Sequence, residues 1–336
     1  MRAGTSKAMI CHGGNLAVAS SDPVACLEAF RQLDLAVHVT TELNRTQLLL
    51  AKTTYLLPCL GRTELDMQAT GRQSVTVEDS MSMVHASSGF LEPPGDQVRS
   101  EPAIVVGIAK ATLGARSVVD WDAMVGDYSL IRDKIEAVFP DFAGYNERIR
   151  EPGGFQLPNS AQQRIWKTHS GRANFAVFPG LEEDLAFGGD DVLTLATLRS
   201  HDQYNTTIYG LDDRYRGVFG RQDVLFVNDA ELRRLGMKEG DVVDVFTAGE
   251  HSSENRVVRA LMLVRYDLPD GCCASYYPEA QPLIALEQVD PDSLTPAYKS
   301  VPVRIRPTAQ ATDTPISVGR DGVSGRPAKG RTAPAA

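Results

Sequence analysis

Short apolar runs alternate with helically spaced segments near the start of the chain. The runs at residues 7–11, 35–40 and 53–59 predict three strands. Asp22 followed by Pro23 favours a helix start between the first two runs, and a shorter helical segment precedes the third. This β-α-β-α-β order predicts a parallel sheet with helices packed against its faces.

Three polar loops would follow these strands at the carboxyl edge of the sheet, where open α/β sheets bind ligands. They span residues 12–15, 41–46 and 60–80 and are rich in Gly, Thr, Asn, Arg and Glu. The first, HGGN, could bring backbone N–H groups close to a phosphate, although an ordinary tight turn is the simpler interpretation. The first strand begins almost at Met1, so this lobe is expected to lack strands on its N-terminal side.

From about residue 190 the pattern changes to strands with few helices. One short helix is predicted between Asn228, which can cap it, and Gly236. Five or six strands with so little helix predict a small β-barrel. The apolar runs lie at residues 191–198, 223–228, 241–248, 255–266 and 299–306.

The pattern divides the chain into four regions. Residues 1–115 form a partial α/β domain, 116–185 a mixed connecting segment, 186–308 the β-barrel and 309–336 a tail. The connecting segment has a helical pattern broken around Gly126, followed by a stretch rich in Pro and Gly. The tail contains mainly Gly, Pro, Ala, Thr and Arg without periodicity, and is expected to be disordered.

Residues 198–223 carry an unusual density of hydrogen-bonding side chains between apolar runs. Arg, His, Asp, Gln and Asn occur there together with Tyr204, Tyr209 and Tyr215. Guanidinium groups bind oxyanions, amides match ring edges and tyrosines stack, so this composition is typical of a site for a large planar, phosphate-bearing ligand. A structural loop explains the composition equally well.

Other polar and sulfur-containing groups give weaker indications. His201 and Asp202 are adjacent and would point to opposite faces of a strand, and no G-x-S-x-G elbow accompanies them, so hydrolytic catalysis is not indicated. Residues 76–89 predict either a loop with methionines as gap fillers or the wall of a cofactor or substrate channel. Cys272 and Cys273 are expected to be packed thiols.

Composition narrows the class of protein. The 336 residues are 43% hydrophobic and 23% charged, as in soluble proteins of about two domains. The net charge of -9 argues against a nucleic-acid partner, and no apolar run approaches the roughly 20 residues that span a bilayer, so we expect a cytoplasmic protein without membrane contact. The cysteines include no C-x-x-C pair and the histidines are scattered, so neither indicates an iron–sulfur or metal site.

Five motifs occur together in a fixed order between about residues 7 and 307. They are MICHGGN with DLAVHVTTELNRT, LPCLGRTELDMQATGRQSVTVEDSMSMVHASSG, TLRSHDQYNTTIYGLDDRYRGV, NDAELRRLGMKEGDVVDV, and YYPEAQPLIALE with TPAYKSVPVRI. In these motifs the chain closely resembles the C-terminal part of the formate-dehydrogenase-like molybdopterin oxidoreductase alpha subunits, in the dimethyl-sulfoxide-reductase superfamily. Five motifs in the family's order are far more specific than any one of them.

The resemblance implies a partial parallel dinucleotide-binding α/β lobe followed by a double-psi β-barrel, which together wrap bis(molybdopterin guanine dinucleotide) with its molybdenum. In the α/β lobe, the positions implied to contact this cofactor are Gly14, Asn15, Thr41, Asn44 and Thr46. In the barrel loop they are Arg199, Ser200, His201, Gln203, Asn205 and Thr206. On the far side they are Glu279, Gln281, Tyr298 and Lys299. Such residues suit the ligand, because pterin edges need paired donors and acceptors and diphosphates need N–H groups and cations.

Two departures from the family pattern bear on function. Gln281 stands where relatives usually have Asn, and its extra methylene would displace that contact. The family's N-terminal half, which supplies the iron–sulfur ligands and the groups around molybdenum, is absent from the sequence. A 4Fe-4S cluster and turnover are therefore expected only with a separate N-terminal half or another redox subunit. We expect no catalytic or metal-ligating residue in this chain and no turnover by it alone.

Three functions stay open on the sequence. The first is the C-terminal cofactor-binding part of a molybdenum-dependent oxidoreductase. The second is a non-catalytic molybdopterin-binding or carrier module, or an inactive gene remnant that binds nothing. The third, a nicotinamide-dependent dehydrogenase, lacks the G-x-G-x-x-G phosphate motif.

Overall fold

The computed structural model describes residues 1–175, 177, 189, 191–201, 203, 210–248 and 256–308, which form a mixed α/β structure with a closed β-barrel. The strands before the barrel are β1 (Ala8–His12), β2 (Leu35–Thr40), β3 (Thr53–Pro58), β4 (Met67–Gln68), β5 (Gly71–Arg72), β6 (Val75–Glu78), β7 (Met83–Ser87) and β8 (Phe155–Gln156). The helices there are α1 (Leu16–Ala19), α2 (Pro23–Arg31), α3 (Glu101–Leu113), α4 (Trp121–Gly126), α5 (Tyr128–Val138) and α6 (Tyr145–Arg148). The barrel part contains β9 (Leu193–Leu198), β10 (Val224–Val227), α7 (Asp229–Leu235), β11 (Val242–Thr247), β12 (Val257–Arg265), β13 (Cys272–Tyr276), α8 (Tyr277–Ala280) and β14 (Val301–Pro307). No helix of the described residues is long and apolar enough to cross a membrane.

Three parallel strands form the N-terminal sheet in the order β1-β2-β3, as the alternating pattern predicts. The central strand, β2, is mostly buried, whereas β3 has only exposed and partly buried positions and β1 has one buried residue, Cys11. α2 begins as predicted, since Asp22 accepts a hydrogen bond from the backbone N–H of Ala25 and Pro23 occupies the first turn. The second predicted helix is a single 3-10 turn, Arg45–Leu48.

α2 covers one face of this sheet. Phe30 and Leu33, on and just after the helix, are fully buried against Cys11 and Ala36 of the strands. The ring of His38 lies in the same layer, stacked on Phe30 with 6.2 Å between the ring centroids. Burial of these side chains stabilises the packing of α2 on the sheet. Because the strands are parallel, the loops after β1 and β2 lie at the same carboxyl edge of the sheet.

Two short sheets replace a predicted loop after β3. β4 pairs with β5, and β7 pairs with both β6 and β8, all antiparallel. The loop interpretation of residues 76–89 is therefore wrong, because the chain reverses at Ser82, whose φ is 62°, and the strands on either side pair. The Val and Thr side chains of β6 suit such a pleated ribbon, which outweighs the polar residues of the turn.

The break predicted around Gly126 is confirmed. α4 ends at Gly126 and the next residue, Asp127, caps α5 by accepting a hydrogen bond from the Ser129 N–H. A Cβ on Gly126 would lie 3.2 Å from the Cβ of Ala69, so a larger residue would crowd the β4–β5 turn. The helical segment thus packs closely on the small sheet that follows the α/β lobe.

Six strands close into the predicted barrel, in the order β10-β12-β11-β14-β9-β13. The neighbours β10 and β12, and likewise β9 and β13, are parallel, and the other pairs are antiparallel. α7 is capped by Asn228 and ends at Gly236, whose φ of 65° suits glycine, as predicted.

The barrel interior is packed with aliphatic side chains from every strand. Leu195, Leu225 and Leu263 are fully buried there, and Cys273 joins them. Cys273 lies on β13, which the apolar pattern does not predict because Cys, Ala and Ser are poor markers of a strand. The expectation that Cys273 is a packed thiol is confirmed, and burial raises its pKa.

Candidate functional site

The carbonyl oxygen of Ala19, at the end of α1, is the point where the α/β lobe meets the barrel. The Tyr277 hydroxyl donates to it at 2.6 Å and the side-chain nitrogen of Gln281 at 2.9 Å. The Tyr298 hydroxyl lies 3.5 Å away, with its ring edge-on to that of Tyr277. A carbonyl oxygen has two lone pairs, so the first two bonds satisfy it and fix the lobes together. We call this region the lobe junction.

An ion pair reinforces the lobe junction. Asp22 Oδ2 lies 2.7 Å from a nitrogen of Arg256, and both side chains are nearly buried. Burial alone would raise the pKa of Asp22, but the hydrogen bonds from Arg256 and Ala25 lower it below its ordinary value. The backbone N–H of Asp22 also points to the Gln281 carbonyl at 3.4 Å. The same two lobes therefore share charged and neutral hydrogen bonds.

Four of the predicted residues in the α/β lobe lie together at the carboxyl edge of the sheet. The Asn44 side chain donates to the Gly14 carbonyl at 3.0 Å, and the Thr46 hydroxyl donates to Asn15 Oδ1 at 3.3 Å. Thr46 is fully buried and also accepts from the Ala17 N–H at 3.2 Å, so its hydroxyl serves the loop itself. The pattern of strands thus correctly brings the first two loops to one place.

Thr41 and Gly14 are both exposed to solvent, Thr41 through its side chain and Gly14 through its backbone. Thr41 is exposed just after β2. Gly14 has a φ of 74°, and a Cβ built on it would meet no atom within 4 Å. Its backbone is therefore accessible to a group that approaches the edge of the sheet.

The barrel loop after β9 is braced from inside. The side-chain oxygen of Gln203, Oε1, accepts from the Ser200 N–H at 3.0 Å, and the Gln222 side chain donates to the Ser200 hydroxyl at 2.9 Å. Ser200 and Gln203 are both buried. Their polar groups hold the loop in shape and leave the preceding residue, Arg199, exposed. Asn205 and Thr206, also predicted as cofactor contacts, lie outside the described residues.

The second half of the polar stretch is organised by a buried carboxylate. Asp213 is fully buried and lies 2.6 Å from an Arg216 nitrogen, while the Tyr276 hydroxyl donates to it at 2.9 Å. His201 contacts Arg214 and packs edge-on to the Tyr215 ring. Much of the polarity of residues 198–223 therefore stabilises the loop, which supports the structural interpretation for these side chains.

Two cations lie together on the barrel side of the lobe junction. The Arg199 guanidinium carbon is 5.8 Å from the centre of the Tyr277 ring, and the Lys299 ammonium donates to the Thr197 carbonyl. Burial and the neighbouring Arg199 lower the pKa of Lys299. Within the described residues neither cation forms an ion pair with a carboxylate. Two such cations favour an anionic ligand between them.

Two buried oxygen atoms in the segment that follows Tyr277 have no hydrogen-bond partner among the described residues. They are Glu279 Oε2 and Gln281 Oε1. Burial raises the pKa of Glu279 to about 7, the Asp223 carboxylate adds to the rise and Arg45 opposes it. A buried acceptor without a donor costs free energy, so both atoms are suited to N–H donors from a ligand.

Sequence reasoning missed Ala19, Tyr277 and Asp213. The role of Ala19 lies in a backbone carbonyl, which leaves no signal in the side-chain pattern. Tyr277 lies in the YYPEAQ motif. A buried tyrosine hydroxyl generally forms a hydrogen bond, so the sequence could have indicated a structural role for this residue. Asp213 belongs to the polar stretch but faces inward.

These features define a class of protein in which a parallel α/β lobe is joined to a closed barrel. Among the described residues, cations without ion pairs and acceptors without donors lie near this joint, which suits a polar anionic ligand. Residues 193–302 match the family model of the molydopterin dinucleotide binding domain. This match and the oxidoreductase relatives support a relationship to the C-terminal part of the molybdopterin oxidoreductases.

Two relatives and one solved structure are similar over most of the chain. Protein YdeP of Escherichia coli K12 is 50% identical over 308 residues, which cover 91% of this chain and 40% of YdeP. The uncharacterized oxidoreductase Rv2900c of Mycobacterium tuberculosis H37Rv is 45% identical over 313 residues, with 92% and 40% covered. Acetylene hydratase from Pelobacter acetylenicus has the same fold over 90% of this chain and 44% of its own, with a TM-score of 0.54 and 14% identity. The chain thus spans 40% of the length of these curated relatives.

Proposed function

We propose that this chain holds a molybdopterin dinucleotide cofactor at the lobe junction, as the cofactor-binding part of a molybdenum-dependent oxidoreductase. The proposal is carried by four side chains of the described residues: Arg199 and Lys299 form no ion pair there, and the buried acceptors on Glu279 and Gln281 have no donor there. A ligand that presents both phosphates and ring N–H groups satisfies all four. A nicotinamide dehydrogenase has no comparable support.

On the barrel side each residue has a distinct task. Arg199 and Lys299 would neutralise phosphate oxygens, and the guanidinium group can do so with two parallel hydrogen bonds. Glu279 and Gln281 would accept hydrogen bonds from the pterin ring. Gln281 already donates to Ala19, so the same side chain links the lobe contact to the ligand contact.

On the α/β side the ligand would meet mainly backbone groups. The accessible backbone at Gly14 can contact a phosphate group. Nucleotide sites in open α/β sheets likewise lie at the carboxyl ends of the strands. Asn15 and Asn44 present amides beside it, and Thr46 holds Asn15 in place. Thr41 and the barrel residues Ser200, His201, Gln203 and Tyr298 complete the proposed site.

The finer identity of the cofactor and fold follows from the family resemblance. We infer bis(molybdopterin guanine dinucleotide) and a double-psi barrel, and the two separate parallel strand pairs of the barrel are compatible with that topology. When bound, molybdenum supplies two-electron oxidation and reduction, and the protein supplies binding and orientation. Formate-dehydrogenase-like chemistry, and any 4Fe-4S cluster, would need groups from a further part of the family's chain.

The proposal is tested by purifying the chain from a host that makes molybdenum cofactor and from a matched host that does not. Acid oxidation releases the pterin as a fluorescent product, and elemental analysis measures molybdenum. We expect both in the first preparation only. Equal, background values in the two preparations would contradict cofactor binding and would favour a product that binds nothing.

Paired variants locate the site in the same assay. Arg199→Gln and Lys299→Gln each remove a charge-assisted hydrogen bond, so each should weaken retention by about tenfold. Arg233→Gln and Lys238→Gln are matched controls, because both residues are exposed on the barrel away from the lobe junction. Equal losses in all four variants would mean that charge alone, not the junction, retains the cofactor.

A further inference from the structure

A buried carboxylate in the barrel loop is tied to the backbone of Arg199. Asp213 Oδ2 accepts hydrogen bonds from Arg216 Nη1 at 2.6 Å and from the Tyr276 hydroxyl at 2.9 Å. Asp213 Oδ1 accepts a third from the Tyr215 N–H at 3.2 Å. The same Arg216 nitrogen donates to the Arg199 carbonyl at 3.1 Å. Arg216 therefore links a buried anion to the backbone of the residue that directly follows β9.

The Asp213–Arg216 ion pair is not explained by stability alone. The Asp213 side chain is fully buried and that of Arg216 is 23% exposed. Removing two charges from water costs free energy that their attraction often only just offsets. Arg216 Nε is also buried without a hydrogen-bond partner among the described residues, which adds to the cost. A role in fixing one conformation therefore accounts for the pair better than a gain in stability.

The conformation that the pair fixes is that of two chain segments leaving adjacent strands. Leu198 at the end of β9 pairs with Tyr276 at the end of β13, in a parallel register. The next residues are Arg199 and Tyr277, and the Arg199 guanidinium carbon lies 5.8 Å from the centre of the Tyr277 ring. Burial and the hydrogen bond to Asp213 raise the pKa of Tyr276, so its hydroxyl stays a donor at neutral pH. Asp213, directly and through its partner arginine, thus braces both segments where the cation meets the ring.

We propose that Arg216 is a positioning residue: it holds the Arg199 backbone so that the Arg199 guanidinium and the Lys299 ammonium face the same anionic group of a ligand. The identity of that group, a diphosphate, rests on the proposed function. The positioning does not, because every contact that carries it lies within the chain itself. Both acceptors of Arg216 Nη1 are protein atoms, so Arg216 acts through Arg199 and does not itself need to contact the ligand.

The first test uses the cofactor-free chain and measures the pKa of Lys299, which the nearby Arg199 charge lowers. Asp213→Asn/Arg216→Met removes one charge of each sign, so it leaves no unpaired charge in the loop and should still fold. The methionine side chain has no donor for the Arg199 carbonyl. Arg199 should then move away from Lys299, and NMR titration of labelled lysine side chains should show that the pKa of Lys299 has risen.

A matched ion pair elsewhere in the barrel provides the control. Glu231 and Arg234 are also three residues apart, and the Glu231 side chain is 7% exposed. Glu231 accepts from the Gly271 N–H, which precedes β13, whereas the lobe junction lies beyond the other end of that strand. Glu231→Gln/Arg234→Met should therefore leave the pKa of Lys299 unchanged, and thermal melting verifies that both paired variants fold.

Dependence on Arg199 separates positioning from a purely structural role. Arg199→Gln should itself raise the pKa of Lys299, and adding Asp213→Asn/Arg216→Met to it should raise that pKa no further. In chain from the cofactor-producing host, the same paired variant should lower cofactor retention by about tenfold, as Arg199→Gln does, without adding to its effect.

The proposal is overturned by an unchanged pKa of Lys299 in Asp213→Asn/Arg216→Met, or by a rise of equal size with and without Arg199. In a chain that does retain cofactor, unchanged retention by the paired variant, or a loss that adds fully to that of Arg199→Gln, would overturn it as well. If the unmodified chain retains no cofactor, the proposed function fails. A pKa of Lys299 that rises in both variants, and no further when they are combined, still supports the positioning role of Arg216.

Discussion

At the scale of single residues, the cofactor hypothesis depends on polar atoms that the fold buries without partners. Glu279 Oε2 and Gln281 Oε1 belong to residues two positions apart in the segment that follows Tyr277, and both atoms lack a donor among the described residues. An unsatisfied buried acceptor costs about 1–3 kcal/mol. Such a cost is understandable at a binding site, because a ligand that supplies the donors recovers it.

Glu279 should make the cofactor-free chain less stable as the pH rises. Burial raises its pKa from 4.5 to about 7, so between these values the folded chain binds more protons than the unfolded chain. Stability is therefore highest below about pH 4.5 for this group and falls by about 3 kcal/mol by pH 7 and above. Glu279→Gln should lose this dependence. Denaturant unfolding at pH 5 and pH 8 measures it, and parallel pH profiles for the two proteins would show that the carboxyl does not titrate as proposed.

The length of the Gln281 side chain should be required for its hydrogen bond to the Ala19 carbonyl. Its side-chain nitrogen reaches the Ala19 carbonyl at 2.9 Å, whereas an asparagine side chain is one methylene shorter. Gln281→Asn should therefore lower the free energy of unfolding by about 1 kcal/mol, the usual contribution of one hydrogen bond. Gln288→Asn serves as a control on a nearby partly buried glutamine. An unchanged unfolding midpoint in Gln281→Asn would mean that the lobe contact adjusts to the shorter side chain.

At the scale of elements, α2 is connected to the barrel through its N-cap residue, Asp22. Asp22 caps the helix and pairs with Arg256, and its φ of 47° is one that Asp and Asn tolerate better than Ala. The residue therefore stabilises a helix, a turn and an interface between lobes.

Two substitutions separate these contributions. Asp22→Asn keeps the cap and the backbone conformation but removes the charge next to Arg256. Asp22→Ala removes the cap, the tolerance of the positive φ and the charge. Its free energy of unfolding should therefore be about 1–2 kcal/mol lower than that of Asp22→Asn. Calorimetric or denaturant unfolding measures the difference. If the two variants unfold alike, the ion pair alone accounts for the role of Asp22.

The elements that sequence predicted well are those with strong local patterns. The three parallel strands, the capped helices α2 and α7, and the break at Gly126 all follow from apolar spacing and cap residues. β13 was not predicted because its small residues resemble a loop, and β6 and β7 because polar turn residues obscured a short ribbon. The strands of the barrel were predicted, but their order depends on long-range pairing that no local pattern contains.

The candidate site was predictable in part for a similar reason. Motif resemblance indicated Arg199, Lys299 and Gln281, and the structure places Arg199 beside Lys299 and over the Tyr277 ring, while Gln281 donates to Ala19. It could not indicate that Ala19 joins the lobes, because the contact is made by a backbone carbonyl. Whether these side chains contact a cofactor stays a prediction.

At the scale of the whole molecule, the α/β lobe and the barrel are held together at the lobe junction. Tyr277 and Gln281 donate hydrogen bonds to the Ala19 carbonyl there, and Asp22 forms an ion pair with Arg256. The proposed ligand site therefore depends on residues from both lobes.

The central claim is that the lobe junction holds a dinucleotide form of molybdopterin. The most direct measurement is the amount of guanine nucleotide and pterin that acid hydrolysis releases from gel-filtered chain made in a cofactor-producing host. We predict two of each per chain, with both reduced in Arg199→Gln and unchanged in Arg233→Gln. Chain that releases neither, or that releases pterin without guanine nucleotide, would contradict the account.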